Sequence, residues 1–446
     1  MLVKKITISA LLSFVFISVN SYAEDLLDVY QLALKNDPQL LAEYASQQAV
    51  GELEAQSRAN FLPTVGLNAN LGKTWQDSSY QGAGGGFNLG GSRQFNTHGY
   101  ALTITQPLYK RQNYIQKDKA NIAIEQAMAS YALVNQDLMV RVAERYFDVL
   151  EKKDDETFAL AEREAIARQL EQTNQRFEVG IATITDVTES QAAYDLANAE
   201  VIRAENEVKN SKERLREPLG KYIDTLAILK DDTELVRPVP EDIEQWSTTA
   251  LAQNPAIAVA KLAVDDSKQT IELQKSGHYP TLDLVGQHAY DSASDGGFGG
   301  SKIHQSALGF QFNLPIDVGG RVRSQTREAG HRLSQAMQNE EQQRRSVIRQ
   351  SREAYNGVIS GLSRVEALKQ AVVSNEKALE ATEAGYQVGT RTTVDVLNVR
   401  RDLFRARRDY AKARYDYILS SLRLKQAAGI IEQTDLEHIN QWLAEK

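Results

Sequence analysis

Residues 386–396 read Tyr-Gln-Val-Gly-Thr-Arg-Thr-Thr-Val-Asp-Val, and residues 177–187 read Phe-Glu-Val-Gly-Ile-Ala-Thr-Ile-Thr-Asp-Val. An aromatic residue, a Val-Gly pair and an Asp-Val pair therefore recur at the same spacing in the two halves of the chain. Other residues recur at a second constant offset: Ala33-Leu34, Pro38 and Pro63 return as Ala250-Leu251, Pro255 and Pro280. Solenoid repeats have periods of roughly 20–50 residues, so this longer duplication indicates two copies of one large structural unit.

The first residues have the features of an export signal. Lys4 and Lys5 precede an apolar stretch from Ile6 to Val19, and small residues stand before Glu24. The apolar stretch is shorter than the roughly 20 residues that cross a bilayer, so we predict a signal peptide at residues 1–23. The chain has no cysteine, which excludes disulfides and thiolate metal sites. Its net charge of −8 argues against nucleic acid as a partner.

Two stretches have the composition of very long helices. No proline occurs from Leu108 to Glu217 or after Pro315, and both stretches are rich in Ala, Glu, Gln, Arg and Leu. Their apolar residues recur at threes and fours, which is the helical period. Because a Val-Gly turn interrupts each stretch, we predict one long antiparallel hairpin of helices at about 110–216 and another at about 320–428.

A different pattern precedes each hairpin. Apolar and polar residues alternate there, which is typical of strands with one apolar face. Four strands cannot close a barrel and an open edge is not tolerated in lipid, so a membrane barrel would need several chains. An ordinary surface sheet is the alternative interpretation. The strands are predicted at about 62–73, 98–107, 280–290 and 305–315.

The prolines also mark the division of the chain. The first repeat is predicted at 24–243 and ends in a linker, 217–243, that contains Pro218, Pro238 and Pro240. The second repeat is predicted at 244–446 and ends in a short polar segment at 429–446.

Motifs of catalysis and cofactor binding are missing from the sequence. The six histidines are scattered without metal-ligand spacing such as H-E-x-x-H, and there is no G-x-S-x-G elbow. Carboxylates alternate with basic residues along the helical stretches, which indicates solvated faces. We therefore expect no enzyme activity, no cofactor and no metal site.

Specific stretches of the sequence resemble the TolC family of outer-membrane channels of Gram-negative bacteria. The resemblance extends over nearly the whole mature chain, and the signal peptide, the duplication and the order of strands and hairpins agree with it. It implies a mainly α fold with a transmembrane β-barrel part. The stretches that carry the resemblance are Glu383–Leu397, Gln169–Gly180, Ile184–Val187 and Gly277–Leu284.

The resemblance also implies an assembly and a function. Three copies would form a single twelve-stranded barrel in lipid of the outer membrane, continued by a twelve-helix tunnel through the periplasm. The assembly would be a passive exit duct for multidrug efflux or type I protein secretion. A periplasmic adaptor would join it to an inner-membrane transporter of the RND, ABC or MFS type. The alternative function is a trimeric coiled-coil surface or adhesive protein with a barrel anchor.

In the family the tunnel closes at its periplasmic end through bonds between neighbouring hairpins. Carried over by position, Arg391 would bond Asp186 and the backbone of Thr185, while Tyr386 would bond Gln169 and Asp186. Each charge-assisted bond of this kind contributes roughly 1.5–3 kcal/mol. The alternative is an intrahelical pair between Arg391 and the residue four positions on, Asp395, worth about 0.2–0.5 kcal/mol.

The resemblance further assigns a constriction and a contact surface. Asp395 would line the constriction, and Asn398 stands where members of the family often carry a second acidic residue, so we expect weaker cation selectivity and weaker block by polyvalent cations. The turns of the two hairpins would contact the adaptor because small residues there permit close approach. The adaptor residues are predicted to be Gly180, Ile181, Gly389 and Thr390.

Overall fold

The computed structural model describes residues 23–78, 91–231, 233, 235–295, 299–316 and 319–444. Except for Ala23, the predicted signal peptide lies outside the described residues. No helix in these ranges is long and apolar enough to cross a membrane.

The order of elements repeats in the two halves of the chain. The first half contains α1 (Leu26–Asn36), α2 (Pro38–Gly51), α3 (Leu53–Ala59), β1 (Thr64–Ser78), β2 (Gly91–Lys110), α4 (Arg111–Glu178), α5 (Ile184–Leu219) and β3 (Ile228–Leu229). The second half contains α6 (Ile243–Gln253), α7 (Pro255–Lys275), β4 (Thr281–Ala293), β5 (Ser301–Asn313), α8 (Arg321–Gln387), α9 (Thr393–Ala428), α10 (Gln433–Asn440) and β6 (Leu443–Ala444).

The four long strands form one antiparallel sheet in the order β1-β2-β4-β5. They lie where the alternation predicts them, but β1 and β2 extend several residues further toward the connection between them. The register continues the pairing there as far as Ser78 opposite Gly91. Both β1 and β5 have one edge without a partner strand among the described residues.

One face of this sheet is apolar and, within a single chain, exposed. On β2 the residues of this face are exposed, whereas the alternate residues are half-buried. Leu71 is 87% exposed and Leu308 is 78% exposed. A sheet with one side in water normally buries its apolar side, so this face requires an apolar surrounding. We call it the apolar face; it includes Val65, Leu67, Leu71, Leu102, Ile104, Leu308, Phe310 and Phe312.

Two hairpins of unequal arms extend from the sheet. Hairpin 1 consists of α4, with 68 residues, and α5, with 36, and hairpin 2 consists of α8, with 67 residues, and α9, with 36. The shorter arms leave the sheet-proximal parts of the long helices unpaired. The helices α2, α3 and α7 pack there, and α7 contacts both α4 and α8.

The main hydrophobic core lies where the shorter arms end. The predicted linker contributes β3, and the C-terminal segment contributes α10 and β6, which pairs with β3. The side chains of Leu26, Tyr146 and Ile418 are fully buried in this core. The Tyr146 hydroxyl donates to the carbonyl of Ala227, at 2.7 Å, and burial raises the pKa of this tyrosine. The core therefore ties both hairpins to the ends of the chain.

Candidate functional site

The turns of the two hairpins have the same backbone geometry. Gly180 and Gly389 have φ angles of 75° and 80°, a region that favours glycine. After each turn a threonine caps the returning helix, Thr183 for α5 and Thr392 for α9. Residues 179–183 and 388–392 are called the hairpin turns below.

Each cap is a capping box that uses one of the predicted site carboxylates. Asp186 accepts hydrogen bonds from the Thr183 backbone N–H, at 2.9 Å, and from its hydroxyl, at 2.7 Å. Asp395 accepts the corresponding bonds from Thr392, at 2.9 and 3.0 Å. In both cases the backbone N–H is the main cause that holds the pKa of the carboxyl below its ordinary value. Both carboxylates are therefore ionised and fixed at the helix N-terminus.

A cluster of buried polar side chains lies between the hairpins, just above the turns. Thr173 and Ser190 are completely buried, and Gln169 and Thr393 are nearly so. The Ser190 hydroxyl donates to Thr173 Oγ1 at 3.4 Å, and Gln169 Nε2 donates to the same oxygen at 3.4 Å. The Thr173 hydroxyl donates to the Gln169 carbonyl, at 2.9 Å. Gln169 is a predicted gate residue; its buried neighbours were not predicted.

Tyr386 joins this cluster from hairpin 2. The Thr393 hydroxyl donates to Tyr386 Oη at 3.4 Å, and the guanidinium of Arg176 lies 4.6 Å from the centroid of the ring. Burial acts to raise the pKa of Tyr386, but hydrogen bonds from Thr393, Arg176 and Thr173 lower it below its ordinary value. Thr393 also interacts with Asp186. Within one chain, Thr393 thus lies between the two residues that were predicted to bond directly.

Arg391 has a free guanidinium in the single chain. Its stem packs over Gly385, where an added Cβ would lie only 2.8 Å from Arg391 Cγ. It makes no hydrogen bond or ion pair with any residue that the structure describes. Asp395 Oδ2 accepts the capping-box bonds, and Arg391 interacts with this carboxylate only through its charge, which helps to lower the pKa of Asp395. Thr185 is exposed on the first turn of α5.

Asn398 lies in a cleft between α4, α5 and α9. Its side-chain oxygen accepts a hydrogen bond from Arg401 Nη2, at 3.0 Å. The cleft is also lined by Leu397, Arg405 and Glu189. Asp395 lies one turn closer to the hairpin turn, as the sequence spacing requires.

A series of polar contacts joins α9 to α4 along the rest of the hairpins. Arg400 Nη1 donates to the carbonyl of Ala165 on α4, at 2.7 Å, and Arg400 Nη2 donates to Oε1 of Glu383 on α8, at 2.5 Å. The sequence alone does not predict these contacts, because the charges on a helix do not reveal which other helix they face. Further contacts are Arg408–Glu162 (3.0 Å), Lys412–Glu151 (2.9 Å), Tyr415–Asp154 (2.7 Å) and Arg423–Glu144 (2.7 Å).

The same region contains a basic groove close to the turns. It lies between α4, α8 and α9 and has a volume of about 850 Å³. The turns themselves expose apolar side chains: Ile181 is 71% exposed and Val388 is 75% exposed. No group of His, Cys, Asp or Glu among the described residues could hold a metal ion. The groove is lined by Arg168, Arg176, Arg400 and Arg407, with Glu383 as the one carboxylate in its lining.

A sheet with an exposed apolar face, continued by hairpins about 100 Å long, defines a membrane channel with a helical extension. The sequence profile described as "Outer membrane efflux protein" matches residues 29–221 and 246–430. The chain is 36% identical to the outer membrane protein TolC of Vibrio cholerae, over 94% of each chain. It is 28% identical to the alkaline protease secretion protein AprF of Pseudomonas aeruginosa, over 94% of this chain and 87% of that protein.

A solved structure of the channel CusC has the same fold, with a TM-score of 0.77 at 16% identity, covering 91% of this chain and 92% of that one. The chain therefore belongs to the outer membrane efflux protein family. It is an outer-membrane exit duct of the kind that serves efflux and type I secretion.

Proposed function

We propose that three copies of this chain form a passive duct through the outer membrane. The main support is the four-stranded sheet, which has an exposed apolar face and, among the described residues, no partner strand at either edge. Neighbouring strands alternate in direction, so β5 of one copy can pair antiparallel with β1 of the next. Three sheets joined in this way make a closed twelve-stranded barrel, which leaves no edge in lipid.

The hairpins then form the tunnel of the duct in the periplasm. Each chain contributes α4, α5, α8 and α9, so three chains supply the twelve-helix wall. The polar contacts between α4 and α9 fix the two hairpins of one chain to each other over most of their length. Movement is therefore most easily accommodated near the hairpin turns, where the capping boxes and the buried polar cluster lie.

The gate of the duct consists of the residues around the hairpin turns. Arg391 has an unpaired guanidinium, and it bonds Asp186 and the Thr185 backbone of a neighbouring hairpin when the tunnel is closed. Tyr386 is linked to Asp186 through Thr393 and lies close to Gln169, which supports a role for these residues in closure. Asp395 lines the constriction, with Asn398 one turn further along.

The duct opens when a periplasmic adaptor engages it. The adaptor contacts Gly180, Ile181, Gly389 and Thr390 in the hairpin turns, where exposed apolar side chains and unobstructed glycines support docking. An inner-membrane transporter of the RND, ABC or MFS type supplies the energy. The cargo is a drug or, as the name of AprF indicates for that relative, a secreted protein. The chain itself has no enzyme activity and no cofactor.

Single-channel conductance in a planar bilayer tests this proposal. We expect a small, steady conductance for the unmodified protein and a several-fold larger one for Arg391→Ser. The matched control is Arg345→Ser, because Arg345 is exposed on α8 and makes only an i,i+4 pair with Glu341. Equal conductance in all three proteins would remove Arg391 from the gate. No conductance in any of them would favour the adhesive surface protein instead.

A further inference from the structure

Three neighbouring rows on the apolar face of the sheet each contain basic or aromatic residues beside apolar and small ones. The pairing register places residues of the four strands side by side in the order β1, β2, β4, β5. Of the six histidines in the chain, three lie in these rows. The rows are Leu67–Leu102–His288–Ser306, Ala69–Tyr100–Tyr290–His304 and Leu71–His98–Ser292–Lys302.

The next row toward the helices contains no basic or aromatic residue. It consists of Val65, Ile104, Gly286 and Leu308, and the apolar residues continue from there toward the hairpins. Tyr290 lies about ten residues after the start of β4, which is the length of a strand that crosses the hydrocarbon core. The change from apolar to basic and aromatic rows therefore lies at the level where lipid tails give way to headgroups at the loop end of the strands.

The side chains of these rows contact one another and form one surface. The ring of Tyr290 lies 4.7 Å from that of His304, 5.8 Å from that of Tyr100 and 6.0 Å from that of His98, measured between centroids. The ring of His288 lies 6.1 Å from that of Tyr100. The three histidines are exposed within the chain. We call this surface, His98, Tyr100, His288, Tyr290, Lys302 and His304, the His–Tyr patch.

The charged residues around the His–Tyr patch favour an anion. On the same face, β1 contributes Lys73 and Asp77, and β5 contributes Lys302 within the patch. Strand alternation puts Asp291 and Arg93 on the opposite face. Asp77 lies three rows beyond the patch, so the three rows themselves contain no carboxylate on this face. Imidazole is the side chain that gains a positive charge in mild acid, and a protonated ring donates from both of its nitrogens.

We propose that the His–Tyr patch binds the phosphate groups of lipid headgroups, and that it binds them more tightly in mild acid. Histidinium and lysine donate charge-assisted hydrogen bonds to phosphate oxygens, and the tyrosines supply the amphipathic rings that suit this boundary. The proposal rests on the barrel proposed above, in which the apolar face meets lipid. It gives the protein a pH-dependent attachment to the anionic lipid around it.

Quenching of Trp75 fluorescence tests the proposal. Trp75 lies on the same face, two rows beyond His98, while Trp246 is buried and Trp442 lies in the C-terminal segment near the main core. The full-length protein is reconstituted in nanodiscs of phosphatidylcholine that contain brominated phosphatidylglycerol, whose phosphodiester keeps one negative charge at the pH values used. We expect the relative affinity for phosphatidylglycerol to rise on the order of tenfold between pH 7.5 and 5.5.

Variants identify the groups responsible. The triple variant His98→Asn, His288→Asn, His304→Asn should lose most of this rise, and His331→Asn on α8 is the control that should keep it. A second variant, His98→Lys with His304→Lys, should bind the lipid tightly at both pH values. An unchanged pH response in the triple variant, or a lysine variant without lipid preference, would overturn the proposal.

Two further measurements distinguish lipid phosphate from free phosphate, and failure of the patch from failure of the proposed duct. Inorganic phosphate is added as a competitor, and we expect it to displace little lipid because it lacks the tails that the apolar rows hold. Full displacement by inorganic phosphate would show a free-anion site and would overturn the assignment to lipid. The same preparations are tested for conductance, so a conducting protein without lipid preference refutes the patch alone and leaves the duct intact.

Discussion

The guanidinium of Arg176 on α4 lies over the ring of Tyr386 on α8, with Arg176 Cζ 4.6 Å from the ring centroid. The two residues belong to different hairpins of the same chain, and both line the basic groove beside the turns. A contact of this type contributes about 0.5–2 kcal/mol, depending on how much water surrounds it. It therefore holds Tyr386 in a fixed position against the buried polar cluster.

Replacing Arg176 by glutamine should loosen the hairpins near the turns. The ring of Tyr386 would lose its cation and a hydrogen-bond donor, so we expect a higher single-channel conductance and more frequent openings. Arg168→Gln is the matched control, because Arg168 lines the same groove but pairs only with Glu164 on its own helix. The prediction fails when the two variants give the same conductance.

Thr393→Val tests the link between Tyr386 and Asp186. Thr393 is 2% exposed, and valine has nearly its shape but cannot hydrogen bond. We expect the loss of about 1 kcal/mol of inter-hairpin interaction and a larger open fraction in conductance records. Thr188→Val controls for the substitution itself, since the Thr188 hydroxyl bonds only the Ile184 carbonyl of its own helix. A larger effect in Thr188→Val would contradict the assignment.

Acid should weaken both hairpin turns in a definite pH window. The folded-state pKa values of Asp186 and Asp395 are lowered, chiefly by the backbone N–H of Thr183 and Thr392. The stability that they provide is therefore fully present above the ordinary aspartate pKa of about 3.9 and is lost as the pH falls through the lowered value. Hydrogen exchange at the turns, corrected for intrinsic rates, should be constant from pH 7 to 5 and rise below about pH 4.

The same measurement on Thr392→Ala separates the cap from the rest of the turn. Loss of an N-cap threonine costs about 0.5–2 kcal/mol of local helix stability. We expect faster exchange in the first turn of α9 already at pH 7, with α5 unchanged. If acid accelerated hydrogen exchange only in the sheet, protonation of Asp186 and Asp395 in the capping boxes would not be the cause.

The hairpins and strands are largely encoded in local sequence, and the structure confirms them. Helical and strand periods can be recognised within about a dozen consecutive residues. Each Val-Gly turn then marks the place where one helix of a hairpin ends and the next begins. The capping boxes have a local signal too, Thr-x-x-Asp at Thr183–Asp186 and Thr392–Asp395.

The main core could not be predicted in the same way. The strands β3 and β6 have two residues each and form only because Ile228–Leu229 pairs with Leu443–Ala444, which lies about half the chain length away in sequence. The unequal lengths of the two helices in each hairpin also depend on tertiary contacts. Beyond the end of the shorter helix, α7 packs against α4 and α8 in its place. The proposed gate residues Tyr386 and Gln169 came from a family resemblance, whereas the positions of their buried neighbours Thr173 and Thr393 depend on packing between hairpins.

Asn398→Asp should increase cation selectivity, but less than an aspartate at this position would without a neighbouring arginine. The Asn398 side chain accepts a hydrogen bond from Arg401, so a new aspartate would be partly neutralised by the same arginine. We therefore expect modestly stronger block by polyvalent cations in the single variant. Asn398→Asp combined with Arg401→Gln should give a clearly larger effect, measured as reversal potential in a salt gradient. Identical block in the parent and both variants would place residue 398 away from the constriction.

The buried ion pair of Asp37 should be the most sensitive electrostatic contact in the chain. Asp37 is 1% exposed, accepts bonds from both terminal nitrogens of Arg141, at 2.9 and 3.1 Å, and caps α2 through the backbone N–H of Leu40. In the second repeat the equivalent position is Asn254, which caps α7 and donates to the carbonyl of Ala427 without a charge.

Asp37→Asn keeps the cap but removes the buried charge that pairs with Arg141, which is 22% exposed and retains Asp137 at 3.6 Å, so we expect a loss of about 1.5–3 kcal/mol of stability. Asp37→Ala should cost about 1 kcal/mol more, because it also removes the cap. Glu54→Gln is the control, since the pair of Glu54 with Arg58 is exposed on both sides and contributes at most about 1 kcal/mol. Thermal unfolding of the three variants should give Tm values in the order Glu54→Gln, Asp37→Asn, Asp37→Ala from highest to lowest. An Asp37→Asn protein as stable as the Glu54→Gln control would mean that the amide of residue 37 can serve in the first repeat as Asn254 does in the second.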